Sequence, residues 1–208
     1  MAITKTYITG SVDALYDFLI ANGTDYFTSF VKQTDTHAGV SCYIGELEFV
    51  RLNIDIRSSG SGGVRITTST GLFREIAYST NLITLQWAYK TSNALVFSAG
   101  SFPFSIVITK DNEGNTAVIV LNTFSPNVSG VNTTYAVSVN SDIIDTTALY
   151  PNVSKYTTAF CPLIVSNTST RYTPNVFYMP FAQYSVEGTF VVDGTSYLCN
   201  GILAVKDE

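Results

Sequence analysis

Between Glu46 and Arg57 the chain reads Glu-Leu-Glu-Phe-Val-Arg-Leu-Asn-Ile-Asp-Ile-Arg. Val50, Leu52, Ile54 and Ile56 alternate with Arg51, Asn53, Asp55 and Arg57, the period of a half-buried strand with one wet face. Upstream the phase reverses, because Leu47 and Phe49 are the apolar pair. A bulge near Phe49–Val50, or a junction of two strands, is therefore expected.

Most of the chain repeats this theme. Further strands are predicted over 26–33, 64–69, 83–90, 94–99, 103–110, 116–122, 134–140, 159–166, 175–179, 188–192 and 196–205. Val192-Asp193-Gly194-Thr195 carries the Asp-Gly signal of a type I′ hairpin, since both central positions need positive φ. Ser58-Ser59-Gly60-Ser61-Gly62-Gly63 is expected to be a flexible loop, and it lacks the Gly-Lys-Ser/Thr ending of a phosphate loop. A helical period occurs once, near the start. Ser11 is placed to cap a helix beginning Val12-Asp13-Ala14-Leu15-Tyr16-Asp17-Phe18-Leu19-Ile20, and Gly23 to stop it. Leu15, Phe18 and Leu19 share one face, with Asp13 and Asp17 on another.

Many short strands and one helix predict a mainly β protein: an antiparallel β-sandwich or open barrel with one short N-terminal amphipathic helix. A single domain over 1–208 is expected. The polar stretch 122–133, with Pro126 and Gly130, is the place for an internal boundary or a long cross-connection.

Composition narrows the function. Charged residues are 13% of the 208, against a usual quarter, and Thr is the commonest residue type. The net charge is −5, and the eleven Lys and Arg form no basic run. Phosphate recognition needs clustered cations, so nucleic acid is not an expected partner. No stretch approaches the ~20 apolar residues of a membrane helix, so no membrane partner is expected. Met1-Ala-Ile-Thr-Lys-Thr is neither a charged nor an apolar leader, which predicts synthesis in a cytosol. Cys42, Cys161 and Cys199 are odd in number and far apart, and are read as reduced and mostly buried. Five Asn-x-Ser/Thr triplets, from Asn22, Asn127, Asn132, Asn152 and Asn167, are read as turn and strand-edge polarity.

Candidate chemistry is thin. Asp111, Glu113 and Asn115 alternate like calcium ligands, but a calcium loop of the EF-hand type wants glycine at its sixth position. Counted from Asp111 that position is Thr116, and Gly114 falls two places early. The flanking apolar runs instead make 111–115 the tip of a hairpin. His37, the one histidine, lies in a polar loop, and no Gly-x-Ser-x-Gly nucleophile elbow is present. Glu46 and Glu48 fall on one strand face, read as a polar strand edge before a catalytic carboxylate pair. No catalytic residue, metal ligand or cofactor site is assigned, and no enzymatic activity is expected.

Aromatics are the remaining resource, with thirteen Tyr, thirteen Phe and one Trp. Phe177-Tyr178-Met179-Pro180-Phe181-Ala182-Gln183-Tyr184 has no clean period of two and carries a proline. It suits a sheet edge or subunit contact, and Phe177, Tyr178, Met179, Phe181 and Tyr184 are the candidate interface residues.

The helix segment Ser-Val-Asp-Ala-Leu-Tyr-Asp-Phe-Leu followed by Tyr26-Phe27, then "WAYKTSNALVFSAG", "IVITKDNEGNTAVIV" and the closing "GTFVVDGTSYLCNGILAVKDE", resemble small Thr-rich β-structured virion proteins of tailed bacteriophages and prophages of Firmicutes. The resemblance implies a structural component of tail, baseplate or capsid surface, assembled in the host cytoplasm. It implies a homo-oligomer bound to other virion proteins. It carries over no functional residue. The alternative expectation is a module binding a host-surface glycan or receptor.

Overall fold

The structure, a computed structural model, describes residues 4–8, 11–35, 38–58, 61–71, 73–75, 85–99, 102–122, 133–137, 143–145, 161–165, 171–178, 188–199 and 203–207. It is mainly β and antiparallel, with one helix among the described residues. None of the described helical structure is long and apolar enough to cross a membrane.

Strand β1 (Thr4–Tyr7) leads into helix α1 (Val12–Asn22). The Ser11 side chain accepts from Ala14 N at 3.2 Å, satisfying one of the helix's unpaired N–H groups. At the other end Gly23 N donates to Leu19 O at 2.6 Å. A Cβ on Gly23 would lie 2.7 Å from Leu19 O and 2.9 Å from the Phe30 ring, so close approach is what requires glycine here. Leu15, Phe18 and Leu19 are buried, as their spacing predicts, and Phe18 meets Phe97 edge-on at 5.6 Å.

A front sheet follows as a meander: β2 (Ser29–Gln33), β3 (Gly39–Ile44), β4 (Leu47–Ser58), β5 (Ser61–Thr68) and β6 (Phe73–Glu75). The expected phase reversal is a bulge. Cys42 faces Val50 and Tyr43 faces Glu48, leaving Phe49 as the extra residue, and both Phe49 and Val50 are buried. The Gly-Ser-rich stretch expected to be a loop is largely ladder, because Arg57 faces Gly62 and Ser58 faces Ser61.

The middle sheet adds β7 (Leu85–Lys90), β8 (Ala94–Ala99), β9 (Phe102–Lys110), β10 (Thr116–Asn122), β11 (Thr133–Val137) and β12 (Ile143–Asp145), with β1 on the outside of β7. Asn122 faces Thr133, so the stretch between β10 and β11 joins neighbouring strands of one sheet. The back sheet holds β13 (Cys161–Ile164), β14 (Tyr172–Tyr178), β15 (Gly188–Val192), β16 (Thr195–Cys199) and β17 (Leu203–Asp207), in the order β13-β14-β17-β16-β15. The run expected as one strand over 196–205 is two, β16 and β17, which pair antiparallel and so must reverse. Asn200-Gly201 in that interval is a hairpin signal.

The centre of the middle sheet, β8 to β10, is buried on both faces. Leu95, Phe97, Ile106, Ile108, Val118 and Val120 join α1 and the front sheet in one core. Val96, Val107 and Ile119, at the alternate positions, join Leu163, Val176, Leu198, Leu203 and Val205 of the back sheet in another. A strand covered on both sides has no position for a charge, which is why β8 to β10 read as nearly continuous apolar runs.

Two polar clasps tie turns of the middle sheet to the back sheet. Asp207, buried at the end of β17, accepts from Ser92 N at 3.0 Å in the β7–β8 turn. Asp111, buried at the β9–β10 turn, accepts from Glu113 N and Asn115 N at 2.9 Å each through Oδ1, while Oδ2 pairs with the Arg171 guanidinium. Tyr172 N donates to the Asn112 side chain at 2.9 Å, and Asn112 N donates to Tyr172 O at 2.8 Å. The 111–115 segment is a hairpin tip, and its first carboxylate is committed to backbone and arginine.

Candidate functional site

Three places combine exposure with chemistry. The first is an open cleft of about 610 Å³ lined by residues including Tyr26, Phe27, Ile44, Leu47, Lys110 and Thr116. The sequence builds it by ending α1 sharply: Tyr26 N and Phe27 N both donate to Gly23 O at 3.0 Å, which turns the chain back beneath the β3–β4 turn. That turn placed residues 26–28 outside the strand expected over 26–33; β2 starts at Ser29. Ile44 and Leu47 stand partly exposed at the cleft, with Phe27 and Phe49 buried behind them.

Its polar side is a relay. Lys110 Nζ donates to Thr116 Oγ1 at 3.1 Å, and Thr116 Oγ1 donates to Tyr26 O at 2.6 Å. The Lys110 ammonium also lies 5.7 Å from the Tyr26 ring centre. Burial pulls the Lys110 pKa down, opposed by Asp25 and Asp111. Burial, helped by the Asp25 charge, pushes the Tyr26 phenol up to about 12. At neutral pH Tyr26 keeps its proton, and the Thr116 hydroxyl is spent on a backbone carbonyl. The cleft therefore offers the Lys110 cation, the Asp25 carboxylate and neutral polar groups beside an apolar wall.

The second place is an aromatic strip where β1 meets β7. Tyr7 is 57% exposed, and its ring lies 4.5 Å from that of Trp87 at 50°. Lys5 Nζ sits 4.3 Å from the Trp87 ring centre and 5.0 Å from that of Tyr89. The registers Lys5↔Tyr89 and Tyr7↔Trp87 bring these groups to one face. Sequence reading missed the strip because β1 finds its partner some 80 residues further along, though Lys5 and Tyr7 do share a period of two.

The third is the free edge of the back sheet, where β15 carries Val191 at 65% and Val192 at 38% exposure, one on each face. Asp193 and Gly194 have φ of 49° and 79°, as a type I′ turn requires.

The candidate interface residues are only partly brought together. Phe177 is half-buried in β14 and meets Tyr197 edge-on at 6.1 Å. Tyr178 ends β14, facing Cys161 on one side and Leu203 on the other, so this part of the segment belongs to an interior strand. Met179, Phe181 and Tyr184 lie outside the described residues, as does His37. Of the two glutamates expected on one strand face, Glu46 sits in the β3–β4 turn, before β4 begins at Leu47. Glu48 accepts from Ser41 Oγ at 2.7 Å and Arg51 Nε at 3.2 Å. Cys42 and Cys199 are both buried, and burial pushes the Cys42 thiol well above its usual range. Among the described residues no group of three or more His, Cys, Asp or Glu is placed to hold a metal.

No family model, no curated protein and no solved structure matches this chain.

Proposed function

We propose that the protein is a non-enzymatic structural subunit of a tailed-phage virion, assembling in the host cytoplasm with copies of itself and with neighbouring virion proteins. The observation that carries this reading is the bare apolar surface on β15, where Val191 is 65% exposed on a chain with 13% charged residues. Isolated exposed apolar side chains are ordinary, but two exposed valines on an outer strand that itself carries no charge favour contact with another chain. The resemblance of the helix, hairpin and closing segments to phage virion proteins supports the class of assembly.

The test is a mass-spectrometric inventory of purified particles from the host strain carrying the gene. Recovery in fixed stoichiometry with the major virion proteins is expected; absence from intact particles contradicts the reading.

A second reading, a glycan-binding module, is favoured by one observation. Tyr7 presents an exposed ring beside Trp87, and exposed aromatic faces are what sugar rings stack on. A glycan array with the Tyr7→Ala variant decides it: binding lost in the variant supports this reading, and a blank array for the parent ends it.

A further inference from the structure

The three sheets have six outer strands among the described residues: β1 and β12, β2 and β6, β13 and β15. An outer strand shows unpaired N–H and C=O groups to any passing strand, and proteins block such pairing with a charge, a proline or a bulge. Five of the six carry a guard. Lys5 lies in β1, Asp145 in β12, Lys32 in β2, Arg74 in β6 and Pro162 in β13. The sixth, β15, is Gly-Thr-Phe-Val-Val, and its five consecutive pairs with β16 contain no bulge.

The phase of the strand says which groups are offered. Val192 faces Thr195 across a two-residue turn, and the closing pair of such a turn exchanges both hydrogen bonds. Val192, Phe190 and Gly188 thus direct their peptide groups to β16, and Thr189 and Val191 direct theirs outward. Both outward residues are neutral, β-branched and exposed.

We infer that β15 is a homotypic pairing edge: β15 of one copy adds antiparallel to β15 of a second copy across a two-fold axis, joining two back sheets into one of ten strands. This rests on the assembly reading above and names its contact. A second copy fits because the strand is its own complement, with no charge to meet its like. The register follows from the flanks. Centring the axis on Phe190 would set Glu187 against Asp193, two like charges. Centring it on Val191 sets Val191 opposite Val191 and Phe190 opposite Val192, with Thr189 beside the Asp193 turn and no like-charge pair.

The experiment is sedimentation of the full chain with two variants, Val191→Lys and Val191→Pro. Lysine installs the missing guard. Proline removes an outward N–H and leaves the β15–β16 ladder intact. The parent is expected to dimerise at micromolar concentration. Each variant, altered in both copies at once, should raise the dimer dissociation constant about 100-fold, with unchanged circular dichroism and melting of the monomer. Val191→Cys should form an intermolecular disulfide under mild oxidation, since the register sets this position against itself. If both variants dimerise like the parent, the contact lies elsewhere, and β15 pairing is overturned while the assembly reading stands. A parent that is monomeric at tens of micromolar overturns self-pairing; the particle inventory then decides the assembly reading separately.

Discussion

The β9–β10 and β15–β16 hairpins begin from similar instructions. Each joins two strands poor in charge, and each turns on an aspartate followed at short range by a glycine with φ near +80°. Their surroundings are opposite. The β9–β10 turn is held within the molecule: Asp111 is buried, bonded to two backbone N–H groups and paired with Arg171 from sixty residues away. The β15–β16 turn is exposed at Asp193 and Gly194, with bare valines leading into it. A turn signal specifies a chain reversal and nothing about what covers it. Whether the hairpin becomes core or contact surface is set by partners far away in the sequence, or by partners in another chain.

The sharpest test of that contrast is Asp111→Ala. It removes the closest anion from a largely buried Arg171, leaving Glu113 at 3.5 Å, and takes the acceptor from two turn N–H groups, so a loss of about 2–4 kcal/mol in unfolding free energy is expected in denaturant titration. Asp193→Ala, the matching change at the other turn, removes no buried partner. Its cost should be within about 1 kcal/mol, mostly from the left-handed backbone at that site. Equal losses would remove the distinction between the hairpins. Calcium should leave the melting temperature of the parent unchanged, because the Asp111 carboxylate is already occupied.

A smaller effect belongs to the base of the β9–β10 hairpin. Tyr26, whose carbonyl receives the Thr116 hydroxyl, has its phenol raised to about 12 by burial and by Asp25. The unfolded chain gives up that proton near pH 10 and the folded one near 12. The stabilisation is therefore present below pH 10 and is lost as pH rises through 12, by about 2–3 kcal/mol at ~1.4 kcal/mol per unit. Tyr26→Phe should flatten the decline in unfolding free energy between those values; an unchanged slope would show that other groups cause it.

Smaller again are the two glycines. Gly114→Ala and Gly194→Ala should each cost about 1–2 kcal/mol, since both sit at positive φ with open space around the missing Cβ. Near-equality here would locate the difference between the hairpins in the aspartates and their partners rather than in backbone strain.

Much of the local structure was legible. The buried Val50, Leu52 and Ile54 of β4, the phase break at Phe49, the Ser11 cap and the Asp193-Gly194 turn all follow from period and turn chemistry, and each is found; Asn53, expected on the wet face of β4, is buried instead. What escaped was long-range or brief. Strand β1 is four residues paired with a segment far downstream, and β6 and β12 are three residues each, too short for a period to register. β3 escaped because Gly39-Val-Ser-Cys-Tyr-Ile is buried at four consecutive positions, so it does not alternate. The candidate contact was drawn from aromatic content at 177–184. The unguarded strand lies just beyond, at 188–192, where its status as an outer strand depends on the chain passing β15 and β16 before β17 returns to β14. No local pattern encodes that order.

The proposed pairing gives β15, from outside the chain, the partner that the β9–β10 hairpin finds within it. Hydrogen–deuterium exchange as a function of protein concentration tests this most directly, with the guarded edges β1 and β2 as internal controls. Protection of 188–192 should rise from sub-micromolar to tens of micromolar protein, while 4–7 and 29–33 stay unchanged. Exchange at 188–192 that is independent of concentration, or protection that rises equally at all three edges, would contradict it.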